Sequence, residues 1–112
     1  MTTAAPATRL MVFLTEDDRV AHRSVAEELL LRAHDAGLAG ATIWRGIEGF
    51  GATGRLRAAR LPDLARGLPL VFEVIDEVGS VEAFLPAVRE LASGALVTTE
   101  TVHVSRTSSS RR

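Results

Sequence analysis

Residues 45–56 combine the side chains and the backbone freedom that anion binding requires. They read R-G-I-E-G-F-G-A-T-G-R-L, with four glycines and an arginine near each end. Glycine lets the backbone approach a ligand closely and turn its N–H groups toward an anion. Arginine grips a phosphate or a carboxylate through parallel hydrogen bonds. The stretch therefore predicts a binding site for a small anionic ligand. Its candidate residues are Arg45, Gly46, Glu48, Gly49, Phe50, Gly51, Arg55 and Arg57.

A second interpretation of the same residues stays open. Glycines also permit β-bulges or close packing between subunits, with the arginines left in solvent. Glu48 counts against a simple phosphate cradle, because a carboxylate beside an anion costs energy unless it pairs with an arginine. Glu48 could instead receive a ribose hydroxyl or an adenine amino group, or it could pair with Arg45 of a neighbouring subunit.

The composition argues against most catalytic chemistry. All 13 basic residues are arginine, and Lys, Asn, Gln, Tyr and Cys are absent. The chain therefore has no Schiff-base lysine, no lysine-containing P-loop, no thiol nucleophile and no zinc–thiolate site. The histidines at positions 22, 34 and 103 lack metal-ligand spacing, and neither a G-x-S-x-G motif nor a signature for a Ser/His/Asp set occurs. We expect no enzyme, no cofactor and no metal.

Charge and length predict one small domain. The 13 basic and 14 acidic residues give a formal charge of -1, so no global field attracts nucleic acid or an anionic membrane. A chain of 112 residues with 46% hydrophobic content can bury one core. No apolar run is long enough to span a bilayer, and the N-terminal residues do not form a signal peptide. We expect a cytoplasmic protein without nucleic-acid partners or direct membrane insertion.

Hydrophobic periodicity predicts four strands and two helices. The predicted strands are 8–15, 41–47, 68–76 and 95–104, and the predicted helices are about 22–36 and 81–92. Ser80 is a suitable N-cap for the second helix. Pro86 lies too deep for a first turn, so a later helix start or a kink is expected there. Residues 1–7 and 106–112 are expected to be disordered tails, which leaves one domain from 8 to 105.

The order strand, helix, strand, strand, helix, strand predicts an α+β fold. Such a chain forms a ferredoxin-like βαββαβ domain, with a four-stranded antiparallel sheet and two helices on one face. The third strand is apolar on both sides, since Val71 and Ile75 alternate with Leu70, Phe72 and Val74. One helical layer cannot cover both faces of the sheet. Oligomerisation through the second face is therefore expected.

Four stretches resemble the PII-like family catalogued as domain of unknown function 190. They are E-D-D-R at 16–19, A-G-L-A-G-A-T-I-W-R-G-I-E-G-F-G at 36–51, L-P-L-V-F-E-V-I-D followed by F-L-P at 68–86, and G-A-L-V-T-T-E at 94–100. The resemblance implies a PII-like trimer whose sheets face inward. It also places an adenine nucleotide between subunits near Gly49–Gly51. The connection from about Phe50 to Gly67 would be the counterpart of the T-loop, with which PII proteins engage transporters and enzymes.

Two departures from the PII pattern limit what the resemblance implies. The chain has no tyrosine, so regulation by uridylylation of a loop tyrosine is excluded. The turn Asp76–Ser80 lacks the lysine of the family pattern, which weakens any phosphate contact there.

Two hypotheses for the function follow from the sequence. The chain is either a trimeric regulator that binds an adenine nucleotide and signals through the loop, or an effector-independent module that docks on a transporter or an enzyme. Catalysis in the cleft between subunits is a weaker third reading.

Overall fold

A computed structural model describes residues 2–107 as a four-stranded sheet with two helices. The strands are β1 (Thr2–Thr15), β2 (Ala41–Arg45), β3 (Pro69–Asp76) and β4 (Leu96–Thr107), and the helices are α1 (Val25–Asp35) and α2 (Val78–Leu91). The strand order is β2-β3-β1-β4, and every neighbouring pair is antiparallel. The predicted ferredoxin-like βαββαβ fold is confirmed.

Both helices pack on the same face of the sheet. Leu10, Val12 and Leu14 of β1 alternate with side chains on the other face, as do Leu70, Phe72 and Val74 of β3, and all six are buried. The helices bury Val25, Ala26, Leu29, Ala33, Val81, Phe84 and Val88 against them. The period-2 pattern of the strands and the helical stripes therefore meet in one core.

Helix α1 begins three positions later than expected from the sequence. Residues 19–24 form a tight hairpin in which Arg19–Val20 pairs with Arg23–Ser24, and Ala21 takes a left-handed φ of 54°. Ser24 then caps the helix, because its hydroxyl accepts a hydrogen bond from the N–H of Glu27 at 3.1 Å. His22 is an exposed turn residue and takes no part in this cap.

Helix α2 corrects two expectations. It begins at Val78, with Glu77 as an N-cap that makes no side-chain hydrogen bond, so Ser80 lies inside the helix. It also includes Pro86, so the later start considered there is wrong, while the alternative of a kink at Pro86 stays a prediction. Pro86 has no N–H to donate to the carbonyl of Glu82. Glu82 is exposed, so water can satisfy that carbonyl, while Phe84 and Val88 hold the helix on the sheet.

Strands β1 and β4 continue past the rest of the sheet as a two-stranded ribbon. β3 ends opposite Thr8, but β1 and β4 stay paired as far as Thr2 opposite Thr107. Residues 2–7 and 106–107 thus lie in a ladder where disordered tails were expected. Pro6 is tolerated in the ribbon because β1 has a neighbour on one side only there. The remaining tail positions, 1 and 108–112, lie outside the described residues.

The second face of the sheet is covered by no element among residues 2–107. Cross-strand register places Trp44, Val71, Phe13 and Leu96 in one row across this face. Phe13, Trp44 and Leu96 are exposed. We call this surface the open sheet face. It is the apolar second face that the sequence of β3 predicted.

Candidate functional site

The glycine-rich stretch folds into a short hairpin after β2. Glu48–Gly49 pairs with Arg57–Ala58, and the N–H of Ala59 donates to the carbonyl of Ile47 at 2.8 Å. A turn closes the tip, where the N–H of Gly54 donates to the carbonyl of Gly51 at 2.9 Å. A short 3₁₀ helix, Pro62–Leu64, then leads back to β3. The connection from 50 to 67 is therefore built from hydrogen-bonded turns.

Two of the candidate glycines are explained by packing inside one chain. A methyl group on Gly46 would lie 3.1 Å from Cβ and 3.3 Å from Cγ of Pro69, and one on Gly49 would lie 3.3 Å from the same Cγ. The N–H of Gly46 also donates to the carbonyl of Pro69 at 2.7 Å. Close approach to the start of β3 therefore accounts for both glycines. A methyl group on Gly51 would meet no atom within 4 Å, so space for a ligand remains beside it.

Arg45, the first predicted anion contact, pairs with a carboxylate of its own chain. Its Nε lies 3.0 Å from Oε2 of Glu16. Oε1 of the same carboxylate accepts a hydrogen bond from the N–H of Leu68 at 3.0 Å. Glu16 thus joins the end of β1 to both ends of the loop. The other guanidinium nitrogens of Arg45 remain able to contact a ligand, because the side chain is more than half exposed.

The acidic turn after β1, residues 16–18, lies against the base of the loop. Gly67 is buried and has a φ of 68°, a conformation that favours glycine. A methyl group on it would lie 2.4 Å from Oδ2 of Asp17 and 3.4 Å from Nε of Arg57. The side chain of Asp18 turns toward β1, where its Oδ2 accepts a hydrogen bond from the N–H of Thr15 at 2.7 Å. Glu16 therefore holds the return of the loop to β3 through two hydrogen bonds with Leu68, while Asp17 lies close to Gly67.

Glu48 pairs across the hairpin with an arginine that the sequence did not single out. Nε of Arg60 lies 3.4 Å from Oε1 of Glu48. Both side chains are mostly exposed, so this pair is weak and can yield to a ligand or a neighbouring subunit. The contact became visible only with the register of the hairpin, because the two residues are 12 positions apart.

Arg55 and Arg57 are the predicted cations that stay available. Neither takes part in an ion pair among residues 2–107. Arg55 is exposed at the tip, and Arg57 is half-buried beside Gly67. The structure brings Arg57 and Arg45 to the base of the loop, while Arg55 and Phe50 lie toward its tip.

The loop also carries exposed apolar side chains. Ile47, Phe50 and Leu56 are 76%, 68% and 60% exposed. Single exposed apolar residues are normal, but three on one short hairpin are more than solvent exposure favours and could contact another protein. Phe50 was a ligand candidate in the sequence. Ile47 and Leu56 were missed, because apolar residues in this stretch do not separate contact surface from core before the fold is known.

We also looked for metal sites, membrane-spanning helices and grooves elsewhere in residues 2–107. No group of three or more His, Asp or Glu side chains could hold a metal ion there, and no helix is long and apolar enough to cross a membrane. Open grooves of about 430 Å³ beside the end of α1 and about 410 Å³ beside the start of α2 lie apart from the glycine-rich stretch.

Comparison with known proteins gives the chain a family. The profile of the family DUF190, described as "Uncharacterized ACR, COG1993", matches residues 7–104. A UPF0166 protein from Aquifex aeolicus (strain VF5) is 38% identical over 95 residues, which cover 85% of this chain and 90% of that protein.

Solved structures agree with the fold. CPII from Thiomonas intermedia K12, bound to ADP and bicarbonate, aligns with a TM-score of 0.63 at 22% identity and covers 93% of each chain. CPII is described as a nitrogen regulatory PII-like protein. CutA from Synechococcus elongatus PCC7942 aligns with a TM-score of 0.58 at 15% identity, covering 93% of this chain and 85% of its own. Together with the family profile, these matches agree with the resemblance seen in the sequence: the chain belongs to the family DUF190 and has the fold of the PII-like proteins.

Proposed function

We propose that this chain is a cytoplasmic PII-like signalling protein that binds an adenine nucleotide between the subunits of a trimer. Binding would change the loop from 50 to 67, through which the protein acts on a transporter or an enzyme. It would bind the nucleotide without turning it over. The nucleotide class is suggested by CPII, of which one structure is bound to ADP and bicarbonate and another to ADP, AMP and bicarbonate.

One observation carries the proposal: the open sheet face is continuous with the base of the loop. Trp44 lies exposed on that face, and the next residue, Arg45, begins the glycine-rich stretch with its side chain on the opposite face, beside its cross-strand partner Leu70. A second subunit that covers Trp44 would therefore lie against the edge strand β2 at the point where the glycine-rich stretch begins, and a ligand at that edge could contact Arg45. A single chain offers only one wall of such a cleft. Three copies around an axis would form three equivalent clefts.

The available charges suit a nucleotide phosphate. Arg57 makes no ion pair among the described residues and lies beside the buried Gly67. Arginine can hold phosphate oxygens through two parallel hydrogen bonds. A phosphate bound by Arg57 would lie next to Gly67, where the loop leads back into β3, and could change the conformation of the loop there. That is a physical route from effector binding to a change in the loop.

A second candidate function is favoured by the exposed apolar side chains of the hairpin. Ile47, Phe50 and Leu56 are exposed without any ligand. A loop already shaped for contact could dock on its partner constitutively. The chain would then be an interaction module that needs no effector.

Thermal unfolding of the purified protein against ATP, ADP, AMP and cyclic nucleotides separates the two candidates. A ligand that binds only the folded protein stabilises it by about 2.7 kcal/mol at a hundred times its Kd, so one nucleotide should raise Tm clearly. Arg57→Met should reduce that rise. Arg89→Met is the control, because Arg89 likewise makes none of the described ion pairs, but it is exposed and lies on α2. No rise with any nucleotide at millimolar concentration would favour the interaction module.

A further inference from the structure

Three charged side chains form a cluster in the middle of the open sheet face. Arg9 hydrogen-bonds Glu100 on the neighbouring strand β4. Nε of Arg9 also lies 3.7 Å from Oε2 of Glu73 on β3. The other oxygen of Glu73 accepts a hydrogen bond from the indole N–H of Trp44 at 2.6 Å. The cluster thus connects all four strands of the sheet.

The surroundings of this cluster are partly apolar, with Thr42 and Thr98 in the same row of the face as Glu73. Glu73 lies directly opposite Met11, and Arg9 lies directly opposite Ile75. Glu73 is mostly buried within the single chain, while Glu100 is half exposed on the edge strand. A copy that covered Phe13 and Ile75 would also withdraw the cluster from water. Charged groups that lose water must be paired and hydrogen-bonded to be tolerated.

Within one chain the cluster is only partly satisfied. Nε of Arg9 is buried and has no hydrogen-bond partner among residues 2–107. Glu100 uses one oxygen for Arg9, and no hydrogen bond from a described residue reaches the other. Nη1 of Arg9 donates no hydrogen bond to a described residue, and the side chain is 37% exposed. Each copy therefore presents an unused donor at Nη1 of Arg9 and an unused acceptor on Glu100, whereas the buried Nε is out of reach of a neighbouring copy. Copies related by rotation can satisfy each other in this way, since every copy gives and receives the same contact.

The cluster adds directional specificity, which apolar contact lacks. Burial of apolar surface is non-directional, so Phe13, Ile75 and Leu96 alone would tolerate several registers and numbers of copies. Exposed ion pairs contribute little to stability, so stability of the single chain does not explain three charges among partly apolar neighbours. A buried charge without its partner is strongly unfavourable. The cluster would therefore penalise every arrangement that leaves one of its members unpaired.

We propose that Arg9, Glu73 and Glu100 fix the number and the register of the copies that meet on the open sheet face. The partner at this surface is a second copy of the chain, and Nη1 of Arg9 in each copy donates a hydrogen bond to a carboxylate of the next. This inference rests on the assembly in the proposed function. It goes further by assigning the uniqueness of that assembly to three named side chains.

The test compares the wild type with a charge-free variant by native mass spectrometry and sedimentation. The variant combines Arg9→Met, Glu73→Gln and Glu100→Gln, and the amide at 73 still accepts from the Trp44 indole. We expect one species for the wild type and several coexisting species for the variant. Arg9→Met alone leaves two carboxylates against apolar surface and should weaken association at least about tenfold. Glu28→Gln, which breaks the Arg23–Glu28 pair on α1, is the control and should change neither result.

The outcomes are distinguishable. A wild type that stays monomeric at micromolar concentration overturns the proposed assembly and this inference together. A wild-type trimer with a charge-free variant that is also one trimer of equal affinity overturns only the inference. If the charge-free variant does not fold, Arg9→Lys decides alone, because it keeps the charge and loses the planar fork. Unchanged affinity in Arg9→Lys would contradict the proposal. Trp44 is the only tryptophan, so its emission on dilution reports association in every variant.

Discussion

Replacing Glu16 by alanine should loosen the base of the loop more than the loss of an ordinary surface ion pair would. The carboxylate of Glu16 is 31% exposed and accepts from the N–H of Leu68, while it pairs with a 61% exposed Arg45. A hydrogen bond to a charged group contributes about 1.5–3 kcal/mol. The exposed pair with Arg45 adds less than about 1 kcal/mol. We expect Glu16→Ala to lower the free energy of unfolding by about 2 kcal/mol.

The matched control is Glu28→Ala. Glu28 also pairs with an arginine, Arg23, at 2.9 Å, and its side chain is 25% exposed. It accepts no backbone N–H among the described residues, so its loss should cost only about 0.5 kcal/mol. Urea unfolding at one fixed protein concentration measures both values, and amide hydrogen exchange reports the N–H of Leu68 directly. Equal costs for the two variants, with unchanged exchange at Leu68, would refute the bridging role of Glu16.

Three further substitutions test the packing of the loop and of α2. Gly46→Ala should destabilise by about 1 kcal/mol, because its methyl group would press on the Pro69 ring at 3.1 Å. The methyl group of Gly51→Ala would meet no atom within 4 Å. This substitution should leave the free energy of unfolding unchanged or raise it by up to about 1 kcal/mol, since alanine restricts the unfolded chain. An equal loss of stability at both glycines would contradict the packing argument. Pro86→Ala restores a backbone donor inside α2 and should stabilise by about 1–3 kcal/mol, measured by urea unfolding. A loss there would mean that the proline ring contributes contacts that outweigh the missing hydrogen bond.

The fold followed from local patterns in the sequence. The alternation of Leu70, Phe72 and Val74 with Val71 and Ile75 predicted both the core and the open sheet face. The helix boundaries were less predictable. Residues 19–24 form a hairpin instead of the first turn of α1. Such an irregular turn leaves no periodic signal, and its ladder exists only because the neighbouring elements are in place.

The candidate site was predicted only as a stretch of sequence. The pairing of Arg45 with Glu16 and of Glu48 with Arg60 depends on which strands are neighbours and on their register. Glycine content alone could not separate Gly46, which packs on Pro69, from Gly51, which has open space beside it. Whether the candidate residues bind a nucleotide stays a prediction.

The ribbon of β1 and β4 makes the chain a candidate for circular permutation. Thr2 and Thr107 lie opposite each other in one ladder, so a short connector could join the two ends with little change in chain direction. New ends could then be opened at the tip of the loop near Gly51. A permuted protein of this kind would keep the sheet intact while cutting the mechanical link between the two halves of the hairpin. It would show whether the proposed action of the loop on a partner needs a continuous loop or only its two anchored bases.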